Sequence, residues 1–391
     1  MKQSEVLTEF QAAKSMSYVG FMNSYSDGIS GGDFAFIDFF KRLNPVELTI
    51  VTSEMGRKLC QKNGLSAQFV LTTKETHFLN PVATYLKRIV FGVLASIRLK
   101  CPQVIYVSSD ILPDVIPAVV IKVIAKIMGK KVLFFQKSFH VNSNGRKISS
   151  RAQKISFYLI RKFSDHVTTC SPLSQREIAL AASISLDKIS VTLLGVDLAA
   201  LSAIEPSAMK YSAVYLARLH ESKGVLDLPK MWRLVVDRIP DARLAVIGKG
   251  SLEIVQTLRQ EIDGLGLHES IDILGYLEGT KGQELIRASQ IFVSPSHEEG
   301  FGLAIAEAMA LRVPVVAFSL PVYKEVFSDA ILSARCFDIV EFSKNCLDLL
   351  SNDNLREHYA QKGWEVAKRL SLEEATSTEV FAIMKGIQRI S

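Results

Sequence analysis

Cysteine is scarce in this chain of 391 residues: there are five (Cys60, Cys101, Cys170, Cys336 and Cys346), widely spaced and odd in number. No CxxC pair occurs, so a zinc ribbon, a dithiol redox motif and a disulfide-stapled scaffold are all excluded. Unpaired thiols in this number fit a reducing compartment. Long apolar runs are missing too. No stretch reaches the ~18 uninterrupted apolar residues of a spanning helix. Ile89–Ile97 is too short, and Val115–Met128 is interrupted by Lys122 and Lys126. Met1–Met16 is polar and acidic and lacks the apolar core of a secretory signal. These absences predict a cytoplasmic protein and leave attachment to a membrane surface open. Short repeats and low-complexity segments are absent as well. Charged residues make up 22% and the AVILMFWYC set 48%, which excludes a disordered chain.

What charge there is falls unevenly. Residues 1–200 hold 25 Lys+Arg against 14 Asp+Glu, a net of +11, whereas residues 201–391 hold 21 against 26, a net of −5. At ~150 residues per domain the length predicts two to three domains, and the asymmetry predicts that two of them face different partners. A basic half suits nucleic acid, anionic lipid or phosphorylated substrates. No nucleic-acid motif or aromatic-basic platform is present, which sets nucleic acid aside.

Short apolar runs alternate with longer helical stretches, the pattern of parallel sheets with crossover helices. Strands are expected near Ser17–Phe21, Glu47–Thr52, Gln68–Leu71, Val104–Val107, Val132–Phe135, His166–Cys170 and Ile189–Leu193. In the second half they fall near Ser212–Leu216, Arg243–Ile247, Ile271–Leu274, Ile291–Ser294 and Val313–Ala317. The predicted helices include Asp33–Leu43, Pro81–Leu99, Ile116–Met128, Ser149–Phe163, Gly302–Ala310 and Leu372–Ile390. The seam lies around Leu194–Tyr211, where Asp197–Ser207 is neither periodic nor compact.

In open parallel sheets, ligands bind beyond the carboxyl ends of strands, at helix N-termini. Four segments lie there. Asp27–Asp33 follows the first strand and carries Gly31-Gly32; it is not a GxGxxG fingerprint, and a plain strand-to-helix turn accounts for it equally well. In Ala217–Gly224, Arg218 and Lys223 are five apart on one loop. A planar fork of donors beside a point charge suits a diphosphate, although a solvated loop can carry two cations as well. Gly248-Lys249-Gly250 after a strand reads most simply as a tight turn. Ser294–Ala310 is the most informative. Glu299 follows the strand and Glu307 sits eight residues on, within the apolar company of Ala304, Ile305, Ala308 and Met309. A carboxylate there needs a partner or a ligand. Glycines 300 and 302 leave the amides of Phe301, Gly302 and Leu303 open to an anion, and a carboxylate accepts from vicinal sugar hydroxyls.

Taken together and in this order, Gly31-Gly32, Arg218 with Lys223-Gly224, Gly248-Lys249-Gly250 and the Glu299-x7-Glu307 pair resemble the family 4 glycosyltransferases of the GT-B fold. The resemblance covers most of the chain and is strongest over residues 212–330. It implies two Rossmann-like domains with parallel sheets facing across a cleft. Residues 1–195 would bind the acceptor and residues 196–370 the nucleotide sugar, and residues 371–391 would form a helix crossing back to the first domain. It implies retaining transfer of a sugar from a nucleoside diphosphate sugar, with no cofactor besides that donor. Arg218 and Lys223 would neutralise the leaving diphosphate, Glu299 would hold sugar hydroxyls and Glu307 the ribose. The amides of Phe301, Gly302 and Leu303 would meet sugar and phosphate, with Gly248 close by, and Gly31 and Gly32 would let the first domain close on the phosphates. No metal is expected, and no DxD triplet is present to hold one. One departure concerns the family's histidine after the strand ending at Phe135. Here the stretch reads Gln136-Lys137-Ser138-Phe139-His140, so Gln136, Lys137 or His140 is left to serve near the sugar.

The acceptor expected from the resemblance is a glycan or a lipid-linked glycan, in polysaccharide or glycolipid synthesis. The basic first half has Lys87, Arg88, Arg98, Lys122, Lys126, Arg151, Lys154, Arg161 and Lys162 on stretches rich in Ile, Val, Leu and Phe. They read either as an anionic-membrane face or as solvated helix surfaces. Two rivals share the fold: a nucleotide-sugar epimerase or hydrolase, and a non-catalytic sugar-nucleotide-binding subunit.

Overall fold

The computed structural model describes residues 3–23, 30–74, 81–139 and 147–391. The chain divides into two compact units, Met1–Leu194 with Glu373–Ser391, and Gly195–Leu372.

The first unit is built on seven parallel strands: β1 Ser17–Phe21, β2 Glu47–Thr52, β3 Gln68–Leu71, β4 Val104–Val107, β5 Leu133–Lys137, β6 His166–Thr169 and β7 Ile189–Val191. Their spatial order is β3-β2-β1-β4-β5-β6-β7. The second unit has six: β8 Ala213–Leu216, β9 Leu244–Ile247, β10 Ile271–Gly275, β11 Ile291–Ser294, β12 Val315–Phe318 and β13 Ile331–Ala334, in the order β10-β9-β8-β11-β12-β13. Central strands read as continuous apolar runs because helices cover both faces. Alternate side chains go to opposite sides: Val104, Tyr106, Leu133 and Phe135 join one core, and Ile105, Val107 and Phe134 the other. In each sheet the chain winds out from its first strand and then returns to that strand's other side. This creates switch points at β1/β4 and β8/β11, where ligands bind in such folds.

Several elements differ from the sequence expectation. β5 does not end at Phe135 but continues through Gln136 and Lys137, which are polar yet buried. Helix Leu198–Ser202 lies inside the segment expected to be irregular. Asp197 accepts from the Ala200 amide to start it, and five residues are too few to show a period. Helix Glu54–Lys62, capped by Ser53, and the edge strand β13 are additions.

Helix Leu372–Ile390 packs on the first unit, with Val380 and Ile383 in the core beside Leu133 and Phe135. A Cβ on its Gly386 would lie 2.7 Å from Leu133 Cδ1, so a larger residue there would force the Leu133 side chain to shift. The helix also carries Glu379, which pairs with Lys137 at 4% and 3% exposure. Tyr106 Oη donates to the same carboxylate at 2.6 Å. Breaking a buried pair from one side leaves an unpaired charge. Glu379→Ala is therefore expected to lose about 3–5 kcal/mol of unfolding free energy in urea, and Lys137→Met with Glu379→Leu is expected to recover most of it. Equal stability of the single variant and wild type would contradict this.

Candidate active site

In the second unit the loops after β8 and β11 leave neighbouring strands on the same edge and are stitched together. The Ser222 carbonyl accepts from the amides of His297 at 2.9 Å and Glu298 at 3.3 Å. Lys223 Nζ donates to the Glu298 carbonyl at 3.0 Å and lies 2.7 Å from Glu299 Oε1. His297 Nε2 donates to Asp227 Oδ2 at 2.5 Å. Gly224 has φ +66°, and a Cβ there would be 1.8 Å from the Pro295 carbonyl oxygen. On the other flank, Gly248 (φ +152°) leaves the same clearance against the Ala217 carbonyl, and the Leu219 amide donates to the Lys249 carbonyl at 2.9 Å. The β8 loop is thus clamped between the loops after β9 and β11.

This clamp brings Lys223 and Glu299 together, both about one-fifth exposed. Arg218 is on the same loop, exposed, with no hydrogen bond or ion pair among the described residues. One cation is thus held by a carboxylate and a second is open to an anion. The backbone turns sharply at Gly302 (φ +101°), where Tyr323 and Phe327 leave no room for a Cβ. Phe301 is buried against Phe327, and helix Leu303–Ala310 begins with no side chain capping its first turn. Uncapped amides of that turn can meet an anion.

Glu307 lies half-buried on this helix, beside the buried Ala306 and Ala308. Gln283 Nε2 donates to its Oε2 at 3.3 Å, and burial pushes the carboxyl up to about 7. Sequence reasoning assigned no role to Asp227 or Gln283. Asp227 precedes Leu228-Pro229 and reads as a helix cap, yet its side chain makes no cap bond and turns to His297 instead. The His297 ring also packs on Phe337, at 4.5 Å between centroids.

In the first unit, Gly31 and Gly32 form the first turn of helix Gly31–Leu43, which therefore starts before Asp33. Ser30 and Asp33 cap it reciprocally. A Cβ on Gly32 would be 2.9 Å from the Phe139 ring. Gln136 Nε2 donates to the carbonyls of Ser109 at 2.9 Å and Lys137 at 2.7 Å, and Lys137 is engaged by Glu379. His140 lies outside the described residues. A feature not anticipated is Asp114, fully buried at the β1/β4 switch point. It accepts from Asn23 Nδ2 at 2.7 Å and Ser109 Oγ at 2.6 Å, and burial pushes it up to about 6. The sequence expectation starts this helix at Ile116 and leaves Asp114 outside it, whereas the helix begins at Leu112. Among the described residues, no three His, Cys, Asp or Glu side chains are grouped to hold a metal ion.

The Glu307 environment predicts a pH dependence. A carboxyl whose folded pKa of about 7 exceeds its ordinary 4.5 binds its proton more tightly in the fold. Its contribution to stability therefore falls as pH rises from that ordinary value to the raised one. In urea unfolding, Glu307→Gln should be more stable than wild type by about 3 kcal/mol at alkaline pH and equal to it in acid. A constant difference across pH would contradict this.

Residues 202–366 match the family described as glycosyl transferases group 1. The chain is 28% identical over 263 residues to O-antigen chain mannosyltransferase B of Escherichia coli, covering 64% of each protein. It is 24% identical over 182 residues to poly(glycerol-phosphate) alpha-glucosyltransferase of Bacillus subtilis, covering 46% of this chain and 26% of that one. The chain thus spans less than two-thirds of the length of these relatives. Among solved structures, Alr3699/HepE of Anabaena, crystallised with UDP and glucose, superposes with a TM-score of 0.75 at 16% identity, over 94% of this chain and 99% of that one. The chain therefore has the GT-B fold, and residues 202–366, within its second unit, match the family described as glycosyl transferases group 1.

Proposed function

We propose that this protein is a metal-independent, retaining hexosyltransferase of family 4, moving a sugar from a nucleoside diphosphate sugar to a glycan or lipid-linked acceptor in cell-surface polysaccharide synthesis. The observation that carries the reading is the Lys223–Glu299 pair at the β8/β11 switch point, with Arg218 beside it. In this role Lys223 and Arg218 hold the diphosphate and stabilise the charge that develops as it departs. Glu299 accepts from hydroxyls of the donor sugar. The amides of Phe301, Gly302 and Leu303 face the sugar and phosphate, and Glu307, with Gln283, takes the ribose. Gly31 and Gly32 are assigned to phosphate approach from the first unit, and Gly248 to clearance beside the diphosphate. Lys137 and Gln136 are engaged elsewhere, so His140 is the residue we retain for the position near the sugar. The retaining course rests on the family 4 resemblance. The acceptor class draws support from the names of the relatives, an O-antigen chain mannosyltransferase and a poly(glycerol-phosphate) glucosyltransferase. UDP and glucose in the Anabaena protein support the donor class. The cytoplasm is the proposed location.

Chromatography of products from panels of nucleoside diphosphate sugars and acceptors tests the proposal. Wild type should release nucleoside diphosphate with an acceptor-linked sugar of unchanged anomeric configuration. Lys223→Ala and Glu299→Ala should each lower kcat by about 10²–10³-fold. Turnover of the donor without acceptor would favour the epimerase or hydrolase reading, and donor binding without turnover the subunit reading. Wild-type rates in either variant would refute the site assignment.

A further inference from the structure

Helix Pro81–Arg98, in the first unit, is built inside out. Its buried side is Thr84, Arg88, Gly92 and Ser96, spaced by four and so on one face. Its outward side is Val82, Leu86, Val90, Phe91, Leu94 and Ile97, each between 45% and 62% exposed. A surface helix ordinarily shows the reverse. The inversion has a packing cause. A Cβ on Gly92 would lie 2.7 Å from Pro117 Cγ, so a small residue is needed where helix Leu112–Ile127 crosses. Exposed apolar side chains also stand on the neighbouring helices: Ile127 (80% exposed) ends the second helix, with Met128 just after it, and Ile155 and Tyr158 lie on helix Lys147–Phe163. The second helix packs against both of the others.

Charge on these three helices has one sign. Their only acid is Asp114, which is fully buried. Lys87, Arg98, Lys126, Lys154 and Arg161 are exposed along them. An apolar strip this long is a mark of an interaction surface. A second copy of the chain on a twofold axis would set cation against cation with no acid between. An anionic bilayer meets both features, its acyl boundary taking the apolar side chains and its headgroups the lysines and arginines.

We propose that this three-helix face docks the protein on an anionic membrane surface, with helix Pro81–Arg98 lying in the interface plane. It lies on the membrane and does not cross it: no helix among the described residues is long and apolar enough to span. The inference favours the lipid-linked class among the acceptors proposed above, but the docking itself requires neither Lys223 nor Glu299.

Co-sedimentation of the full chain with vesicles tests it. Wild type should pellet with phosphatidylcholine vesicles containing phosphatidylglycerol and stay in solution with phosphatidylcholine alone. The triple variant Leu86→Ser, Val90→Ser, Leu94→Ser should bind at least about tenfold more weakly, with a thermal unfolding midpoint no lower than wild type, because these side chains face outward. Lys87→Ala with Lys126→Ala should weaken binding and flatten its salt dependence. Wild type that ignores the mixed vesicles, or a triple variant that binds them as well as wild type, would overturn the proposal. So would a wild-type dimer that the triple variant dissociates, which would assign the face to a second copy. Nucleoside diphosphate binding in solution reads the donor site separately, so failure of either proposal leaves the other standing.

Discussion

The second unit depends on one backbone junction: the Ser222 carbonyl receiving the amides of His297 and Glu298. Parallel strands send all their carboxyl-end loops to one edge, but direction alone does not fix where long side chains on separate loops meet. Lys223 and Glu299 carry several free torsions each, and a partly exposed ion pair contributes little after that freedom is lost. Here the loops are already joined by backbone hydrogen bonds, by His297 on Asp227, and by Gly224 under Pro295. The pair therefore forms on a surface whose geometry it does not have to create. A side chain at Gly224 or Gly248 would push the clamped loops apart, and with them the cation and the carboxylate.

The first unit uses much of its positive charge internally. Arg88 is buried, Lys122 binds Asp165 and the Val132 carbonyl, Lys131 reaches the Ser391 carbonyl, and Lys137 meets Glu379. These cations tie helices to the sheet and the last helix to the first unit. The net of +11 over residues 1–200 is consequently not one diffuse basic surface. Of what remains outside, Lys87, Arg98, Lys126, Arg151, Lys154, Arg161 and Lys162 stand on helices with no exposed acid, where they accompany apolar side chains.

Central strands were legible because burial on both faces makes them short, uninterrupted apolar runs. β1, β2, β4 and β11 fall where those runs lie. β5 was cut short because Gln136 and Lys137 read as loop residues, and only the tertiary partners Glu379 and Ser109 explain polar side chains inside a strand. The residue types at the β8 and β11 loops were legible as donors and acceptors, but their partners were not. Asp227 has a local explanation as a cap that conceals its contact with His297, seventy residues away. Helix Pro81–Arg98 shows the deepest limit. Its periodicity reveals an apolar stripe but not which side faces the sheet, and the usual rule would turn that stripe inward. The choice is made by Gly92 against Pro117, which no pattern within the helix contains.

The central claim is that Lys223, held by the joined loops beside Glu299, forms a diphosphate site. Calorimetric titration of wild type and Lys223→Met with a nucleoside diphosphate and with the corresponding nucleoside tests it most directly. The account predicts that the diphosphate binds wild type at least about tenfold more tightly than it binds the variant, while the nucleoside binds both alike. Equal diphosphate affinity in the two proteins, or none in wild type, would contradict it.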